Sequence, residues 1–154
     1  MAKPIFLLLL LVLLLPAAAL ADGEKEYRAA MESYRKLNES SRDRQFRDHW
    51  DRLIGRFLLV QKKNPQHRRA AAALYQAGNA ARDLYAISRR PQDATRAVEL
   101  FQSVADKYPD SSLADDSLLF AAQLYEGPLV DRQQAYLHYQ SIVDRFPHGD
   151  MAPA

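Results

Sequence analysis

A segment of this chain recurs thirty-eight residues later without a gap, and this repeat restricts the possible folds more than any other feature. The two copies begin at Asp93 and at Asp131. A period of about 20–50 residues is typical of a solenoid, in which each unit buries its apolar face only against its neighbours. The matching positions are Ala97, Phe101, Val104, Asp106, Lys107, Tyr108 and Pro109 in the first copy and Ala135, Tyr139, Ile142, Asp144, Arg145, Phe146 and Pro147 in the second.

The spacing of apolar residues predicts helices throughout the chain after residue 22, and no stretch alternates in the manner of a half-buried strand. Trp50 and most tyrosines fall on the apolar stripes and are predicted to be core, as is Phe46 at the start of the second helix. Connections of a few residues predict antiparallel neighbours, paired as 1–2, 3–4 and 5–6. We therefore expect an all-α, right-handed α-solenoid of three helix pairs, with helices at about 24–37, 43–63, 67–88, 91–108, 113–126 and 131–146.

Residues 1–21 have the pattern of a cleaved secretory signal. Lys3 precedes an unbroken apolar run over residues 5–15, and Ala19-Leu20-Ala21 resembles a small-x-small cleavage site. The run is shorter than the roughly 20 apolar residues that span a bilayer. We predict cleavage before Asp22, an exported protein of the bacterial periplasm with no membrane span after cleavage, and a helical domain over 22–147. An uncleaved anchor is the alternative.

The composition excludes several classes of partner and site. Lys and Arg number 21 against 19 Asp and Glu, so the formal net charge is only +2 and a nucleic-acid partner is not indicated. The chain has no cysteine, so neither a disulfide framework nor a lipid attachment point after the signal is predicted.

Two segments resemble the tetratricopeptide repeat. In that family a small residue and an aromatic lie on the first helix of a unit, and alanine, an aromatic, a small residue and proline follow across the second. The segment from Gly78 to Ala97 exceeds the family's spacing by seven residues, and we expect this insertion to lengthen the turn around 87–91. The matching residues are Leu74, Gly78, Ala81, Ala97, Phe101, Val104 and Pro109 in one unit and Leu118, Ala122, Tyr125, Ala135, Tyr139, Ile142 and Pro147 in the next.

Narrower resemblances suggest a biological context. Residues 107–125 are similar to the exported branch of the family, which includes cell-envelope proteins. Residues 50–65, 73–93 and 113–125 together resemble the helical region that precedes the catalytic domain of certain bacterial N-acetylmuramoyl-L-alanine amidases. Those enzymes cleave peptidoglycan with zinc, and their ligands lie in the later domain. Residues 148–154 align with the entry into another first helix, so we expect the start of a truncated further repeat or a linker there.

No catalytic, cofactor-binding or metal site is predicted. The four histidines, His49, His67, His138 and His148, form no pair at metal-ligand spacing, and His138 is expected at the surface or in a groove. Asp115 and Asp116 lie where they would complement a helix dipole. The Arg68-Arg69 and Arg89-Arg90 pairs are expected to be solvated, although a polyanion contact stays open for the second pair.

The resemblance implies a partner-binding groove lined by the first helix of each pair. The implied function is a periplasmic scaffold for a protein or peptide partner in the cell envelope, associated with peptidoglycan remodelling. Two alternatives stay open: the front part of a zinc-dependent amidase whose catalytic domain follows, and a direct glycan binder. An ordinary solvated face is the plainer interpretation of the groove positions, which are Ala72, Tyr75, Asn79, Arg82, Asp116, Leu119, Gln123 and Glu126.

Overall fold

The computed structural model of the protein describes the backbone of residues 4–147 and 149 and the side chains of residues 22–147 and 149. The predicted signal peptide and most of segment 148–154 therefore lie outside the fully described residues. The described backbone contains no strand and forms a short 3₁₀ turn, Asp43–Gln45, and six α-helices: α1 (Pro4–Glu39), α2 (Arg47–Lys63), α3 (Ala70–Ser88), α4 (Pro91–Lys107), α5 (Ala114–Glu126) and α6 (Arg132–Arg145).

The helices pack in chain order, each against the helix before it and the helix after it. The same order and the short connections give three successive helix pairs, as the repeat predicted. The all-α solenoid is thus confirmed. The predicted bounds of α2 to α6 agree with the observed ones to within four residues, and the largest difference is at the start of α2, where residues 43–45 form the 3₁₀ turn. α1 begins earlier than the sequence pattern indicated.

The core of the first pair centres on Trp50, which is fully buried and donates its indole N–H to the carbonyl oxygen of Arg44 at 2.8 Å. Phe46 does not join this core, contrary to prediction, because it lies just before α2 in an extended conformation (φ −99°, ψ 115°). Its side chain is 51% exposed and stacks on His49, with ring centroids 5.8 Å apart. This single non-helical residue between the 3₁₀ turn and α2 is enough to direct the side chain away from the core.

The small residues of the repeat permit close approach of α3 and α4. Gly78 lies opposite the fully buried ring of Phe101, and a Cβ atom at Gly78 would come within 2.8 Å of Cδ1 and Cε1 of that ring. Carbon atoms pack most favourably at about 3.5–4.0 Å. The glycine is therefore required by packing against the ring and not by a turn.

The seven inserted residues lengthen helices and not the turn, which corrects the prediction. Only Arg89 and Arg90 separate α3 from α4, whereas residues 127–131 separate α5 from α6. α3 has 19 residues against 13 in α5, and α4 has 17 against 14 in α6. The added segment is apolar enough to pack, since Leu84 and Ala94 are buried. Helix continuation therefore satisfies both the backbone and these side chains.

A buried ion pair fixes this longer hairpin to the preceding pair. Arg47, at the start of α2, donates to both carboxylate oxygens of Asp93 in the first turn of α4, at 2.8 and 2.5 Å. Ser88 donates its hydroxyl to the same carboxylate at 2.5 Å. The bonds from Arg47 and then Ser88 lower the pKa of Asp93 against the opposing effect of its burial. The carboxylate is thus ionised and matched by donors from α2 and α3.

The Arg68-Arg69 pair is not simply solvated, which corrects a second prediction. Both guanidinium groups contact the carboxylate of Glu24 on α1, at 3.0 Å from Arg68 and 2.9 Å from Arg69. Arg28 also binds this carboxylate, at 3.0 Å. These donors, Arg69 foremost, lower the pKa of Glu24 to about 2. The cluster holds the start of α3 against α1.

His138 is buried between α5 and α6 and not at the surface, contrary to expectation. Its ring packs against Tyr125 at a tilt of 48° with centroids 5.1 Å apart, and its Nδ1 lies 2.9 Å from the carbonyl oxygen of Gln134. The opposite face of α6 is exposed, with Tyr136 65% accessible. No helix within the described residues combines the length and the hydropathy needed to cross a membrane.

Candidate partner-binding groove

The first helices of the three pairs, α1, α3 and α5, are joined by side-chain contacts across one surface. The phenol of Tyr34 on α1 donates to the carboxylate of Asp83 on α3 at 2.5 Å. Tyr75 on α3 approaches Phe120 on α5, with ring centroids 6.0 Å apart. These contacts place the three helices side by side, so their outward residues form a single continuous surface.

The middle of this surface has an aromatic floor. The rings of Tyr75 and Phe120 both pack on Phe101, with centroid distances of 5.7 and 5.4 Å. Phe101 is fully buried, whereas Tyr75 and Phe120 are half-buried. The floor therefore belongs to the core on one side and is accessible on the other.

Arg82 covers the accessible side of this floor. Its guanidinium carbon lies 4.4 Å from the ring centroid of Phe120 and 6.0 Å from that of Phe101. No carboxylate of residues 22–147 lies within ion-pair distance of Arg82. The cation thus lies over the ring of Phe120 and retains donors that a ligand could use.

Polar groups surround the phenol of Tyr75. Its pKa is raised, chiefly by burial and then by the nearby negative charge of Asp116 on α5, while a hydrogen bond with Asn79 opposes the shift. Tyr75 is therefore a neutral donor and acceptor at ordinary pH. Asn79 also donates to the side-chain oxygen of Gln76 at 3.3 Å.

The structure brings together four of the eight proposed groove residues: Tyr75, Asn79, Arg82 and Asp116. Glu126 is directed elsewhere, because its carboxylate accepts a hydrogen bond from the phenol of Tyr139 on α6 at 2.9 Å. The remaining three differ in exposure and form no notable polar contact across the surface: Ala72 and Leu119 are half-buried, and Gln123 is exposed.

Sequence reasoning missed two contributors to this surface, Phe120 and Asp83. Asp83 lies four residues after Asn79, so helical spacing alone could have identified it. Phe120 directly follows the proposed groove residue Leu119. Its role depends on the tilt of α5 against α3, which no local pattern encodes.

No group of three or more His, Cys, Asp or Glu side chains in the described part of the chain is placed to hold a metal ion.

Comparison with protein families gives one match, to the tetratricopeptide repeat, over residues 72–111. This range covers all but the first two residues of α3, the whole of α4 and the turn that follows, so it corresponds to the pair whose first helix carries Tyr75, Asn79 and Arg82. Neither a curated protein nor a solved structure matches the chain. The chain is thus an all-α solenoid of helix pairs that is similar to the tetratricopeptide repeat family over residues 72–111.

Proposed function

We propose that the surface formed by α1, α3 and α5 binds an extended peptide segment of a partner protein, so that the chain is a protein-interaction scaffold. The observation that carries this proposal is the arrangement at the α3–α5 contact. There a guanidinium group without a carboxylate partner lies over half-exposed aromatic rings, beside an amide and a neutral phenol.

This chemistry suits a peptide backbone. Arg82, Asn79 and Tyr75 supply donors and acceptors for amide groups, while the aromatic floor accepts an apolar side chain. Aromatic residues and arginine are enriched at the centres of protein interfaces, and lysine and glutamate are depleted there. Solenoids of helix pairs commonly present such surfaces along one side of the array.

We place the scaffold in the bacterial periplasm and associate its partner with the cell envelope and with peptidoglycan remodelling. The support for export is the signal pattern of residues 1–21. The support for peptidoglycan is the resemblance of residues 50–65, 73–93 and 113–125 to the helical region that precedes amidase catalytic domains. The same resemblance supports the rival proposal of a non-catalytic part of a zinc-dependent amidase. Sequencing the reading frame beyond Ala154 would distinguish them, since the rival requires a following domain with zinc ligands.

The groove is tested by the double variant Tyr75→Ala with Asn79→Ala. After export, the chain would be cross-linked in cells, captured through a tag and its partners identified by mass spectrometry. We expect capture of the specific partner to fall at least about tenfold, as central aromatic residues dominate interface energies. The matched control is Tyr136→Ala with Gln133→Ala, which removes the same kinds of side chain from the exposed face of α6.

The two double variants must retain their helicity by circular dichroism at the temperature of capture. Undiminished capture by the groove variant would contradict the assignment. Export is tested separately, because amino-terminal sequencing of the protein from the periplasmic fraction should begin at Asp22. Recovery of the chain in the cytoplasm alone would refute the proposed location without bearing on the groove.

A further inference from the structure

A second surface, remote from the α3–α5 contact, lies where α1 and α2 meet. A pocket of ≈ 290 Å³ opens there between the last turns of α1 and the first half of α2. Leu37 and Leu53 form its apolar floor. The groups around the floor are mostly cationic: Lys36, Arg52 and Arg56 line the pocket together with His49.

The positive charge of this pocket is poorly neutralised within the protein. Arg52 donates through Nε to the backbone oxygen of Asp48, and Arg56 donates to the hydroxyl of Ser33 at 2.6 Å. No carboxylate of the described residues lies within ion-pair distance of either guanidinium. Lys36 has only Glu32, at 3.5 Å, and that carboxylate is already bound by Arg35 at 2.6 Å.

One carboxylate, that of Asp43, also lines the pocket. Against the three cations Lys36, Arg52 and Arg56, this single carboxylate leaves the pocket with an excess of two positive charges when His49 is neutral. Surface cations on a chain of nearly balanced charge usually find carboxylate neighbours, as Arg28, Arg35 and Arg145 do here. The two arginines of α2 are four residues apart and therefore project from the same face of the helix, where two guanidinium forks can hold one carboxylate.

Two large exposed apolar side chains flank these cationic groups along the chain, one just before α2 and one within it. Phe46 is exposed beside His49, and Leu59, three residues beyond Arg56, is 49% exposed. Exposed apolar side chains beside arginines are typical of protein-interaction surfaces. The excess positive charge of the pocket favours an acidic partner segment. The pocket itself is at the lower limit of the roughly 300–1,000 Å³ of small-molecule sites, so it fits one or two side chains.

We propose that the pocket between α1 and α2 binds an acidic peptide segment of a partner protein. A carboxylate of this segment lies between Arg52 and Arg56, and a neighbouring apolar side chain contacts Leu37 and Leu53. Phe46 and Leu59 extend the contact along α2. This site shares none of the residues named in the α3–α5 groove, and its existence does not rest on the groove's function.

The test measures the anisotropy of a short fluorescein-labelled peptide of alternating glutamate and leucine, titrated with the purified chain. We expect Arg52→Gln with Arg56→Gln to weaken binding at least about tenfold. The matched control, Arg89→Gln with Arg132→Gln, removes two exposed arginines from other parts of the surface and should change the affinity by less than about twofold. Added salt should weaken binding to the unaltered chain, because the attraction is electrostatic.

Several outcomes would overturn the proposal. The first is an equal affinity of the peptide for the Arg52→Gln with Arg56→Gln variant and for its matched control. The second is that a peptide with glutamine in place of glutamate binds the unaltered chain as tightly as the original peptide does. Loss of binding in the Tyr75→Ala with Asn79→Ala variant would show that the peptide binds in the groove and not in the pocket. If inorganic phosphate displaced the labelled peptide at a lower concentration than the unlabelled peptide does, the pocket would be a site for a small oxyanion. A dimer in sedimentation that Arg52→Gln with Arg56→Gln dissociates would make a second copy the occupant.

Discussion

Two glycines within helices, Gly55 and Gly78, should respond in opposite directions to the same substitution by alanine. Gly55 lies in the middle of α2, is exposed and has no atom within 4 Å of the position that a Cβ would take. Gly78 lies in the middle of α3 and faces Phe101. Alanine is favoured over glycine inside a helix by about 1 kcal/mol, and this gain is common to both sites.

The difference between the two sites comes from packing. At Gly78 the new Cβ would be 2.8 Å from two carbons of Phe101, which is roughly 0.7–1.2 Å inside the favourable distance. The ring cannot withdraw freely, because Tyr75 and Phe120 pack around it with centroids 5.7 and 5.4 Å away. Overpacking of this kind costs about 1–3 kcal/mol. We therefore expect Gly78→Ala to lower the free energy of unfolding by about 1 kcal/mol net and Gly55→Ala to raise it by about 0.5–1 kcal/mol.

Urea denaturation followed by circular dichroism measures both values, provided that the slope of the transition is the same in each variant. A third variant isolates the cause: in a Phe101→Leu background the clash is relieved, and Gly78→Ala should become neutral or stabilising. If Gly78→Ala stabilised the unaltered chain as much as Gly55→Ala does, the reasoning from the Phe101 contact would be refuted.

Two further substitutions examine the polar contacts between helix pairs. Asp93→Asn should cost about 2 kcal/mol, since it leaves Arg47 without its carboxylate partner. Because the folded-state pKa of Asp93 is lowered, its stabilisation is present above the pKa of the unfolded chain and is lost as the pH falls through the folded pKa. The deficit of Asp93→Asn should therefore shrink in acid, and a pH-independent deficit would contradict this account. Tyr34→Phe removes the bond to Asp83 and should lower the unfolding free energy by about 1–2 kcal/mol. In an Asp83→Ala background, which has no acceptor left, the same substitution should cost no more than a few tenths of a kcal/mol.

Much of the fold could be predicted because the deciding signals are local. Proline fixes the ends of α2 and α4, as the ring of Pro65 or Pro109 disfavours helical geometry at the preceding residue. The spacing of Leu53, Phe57 and Val60 identifies the buried face of α2, and all three are buried. These features depend only on neighbours in the chain and on a regular helical period.

The errors arose where partners distant in sequence decide the outcome. The start of α4 in the longer α3–α4 hairpin is held by Arg47, which binds Asp93 from forty-six residues earlier. Arg69 looked like a solvated residue because its partner, Glu24, lies on another helix. A local pattern reveals that a charged residue is at a helix end, but it does not reveal which carboxylate the fold brings opposite.

The groove was only partly accessible to sequence reasoning for the same reason. Positions on α3 follow directly from helical spacing, so Tyr75, Asn79 and Arg82 fall on one face. The contribution of α5 depends on how that helix is rotated against α3. Phe120 is the α5 residue that contacts Tyr75, whereas Gln123 had been expected to line the groove.

The two-residue tip between α3 and α4 indicates where a chain of this kind can accept inserted residues. The seven extra residues lie near this tip, and they lengthen α3 and α4 by roughly a turn or more each. The buried faces of the two helices still pack against the neighbouring helices. Arg89 and Arg90 are exposed, and Arg89 already adopts a left-handed conformation (φ 55°). The α3–α4 tip is therefore an exposed position where new sequence, whether acquired in evolution or grafted by design, can be inserted.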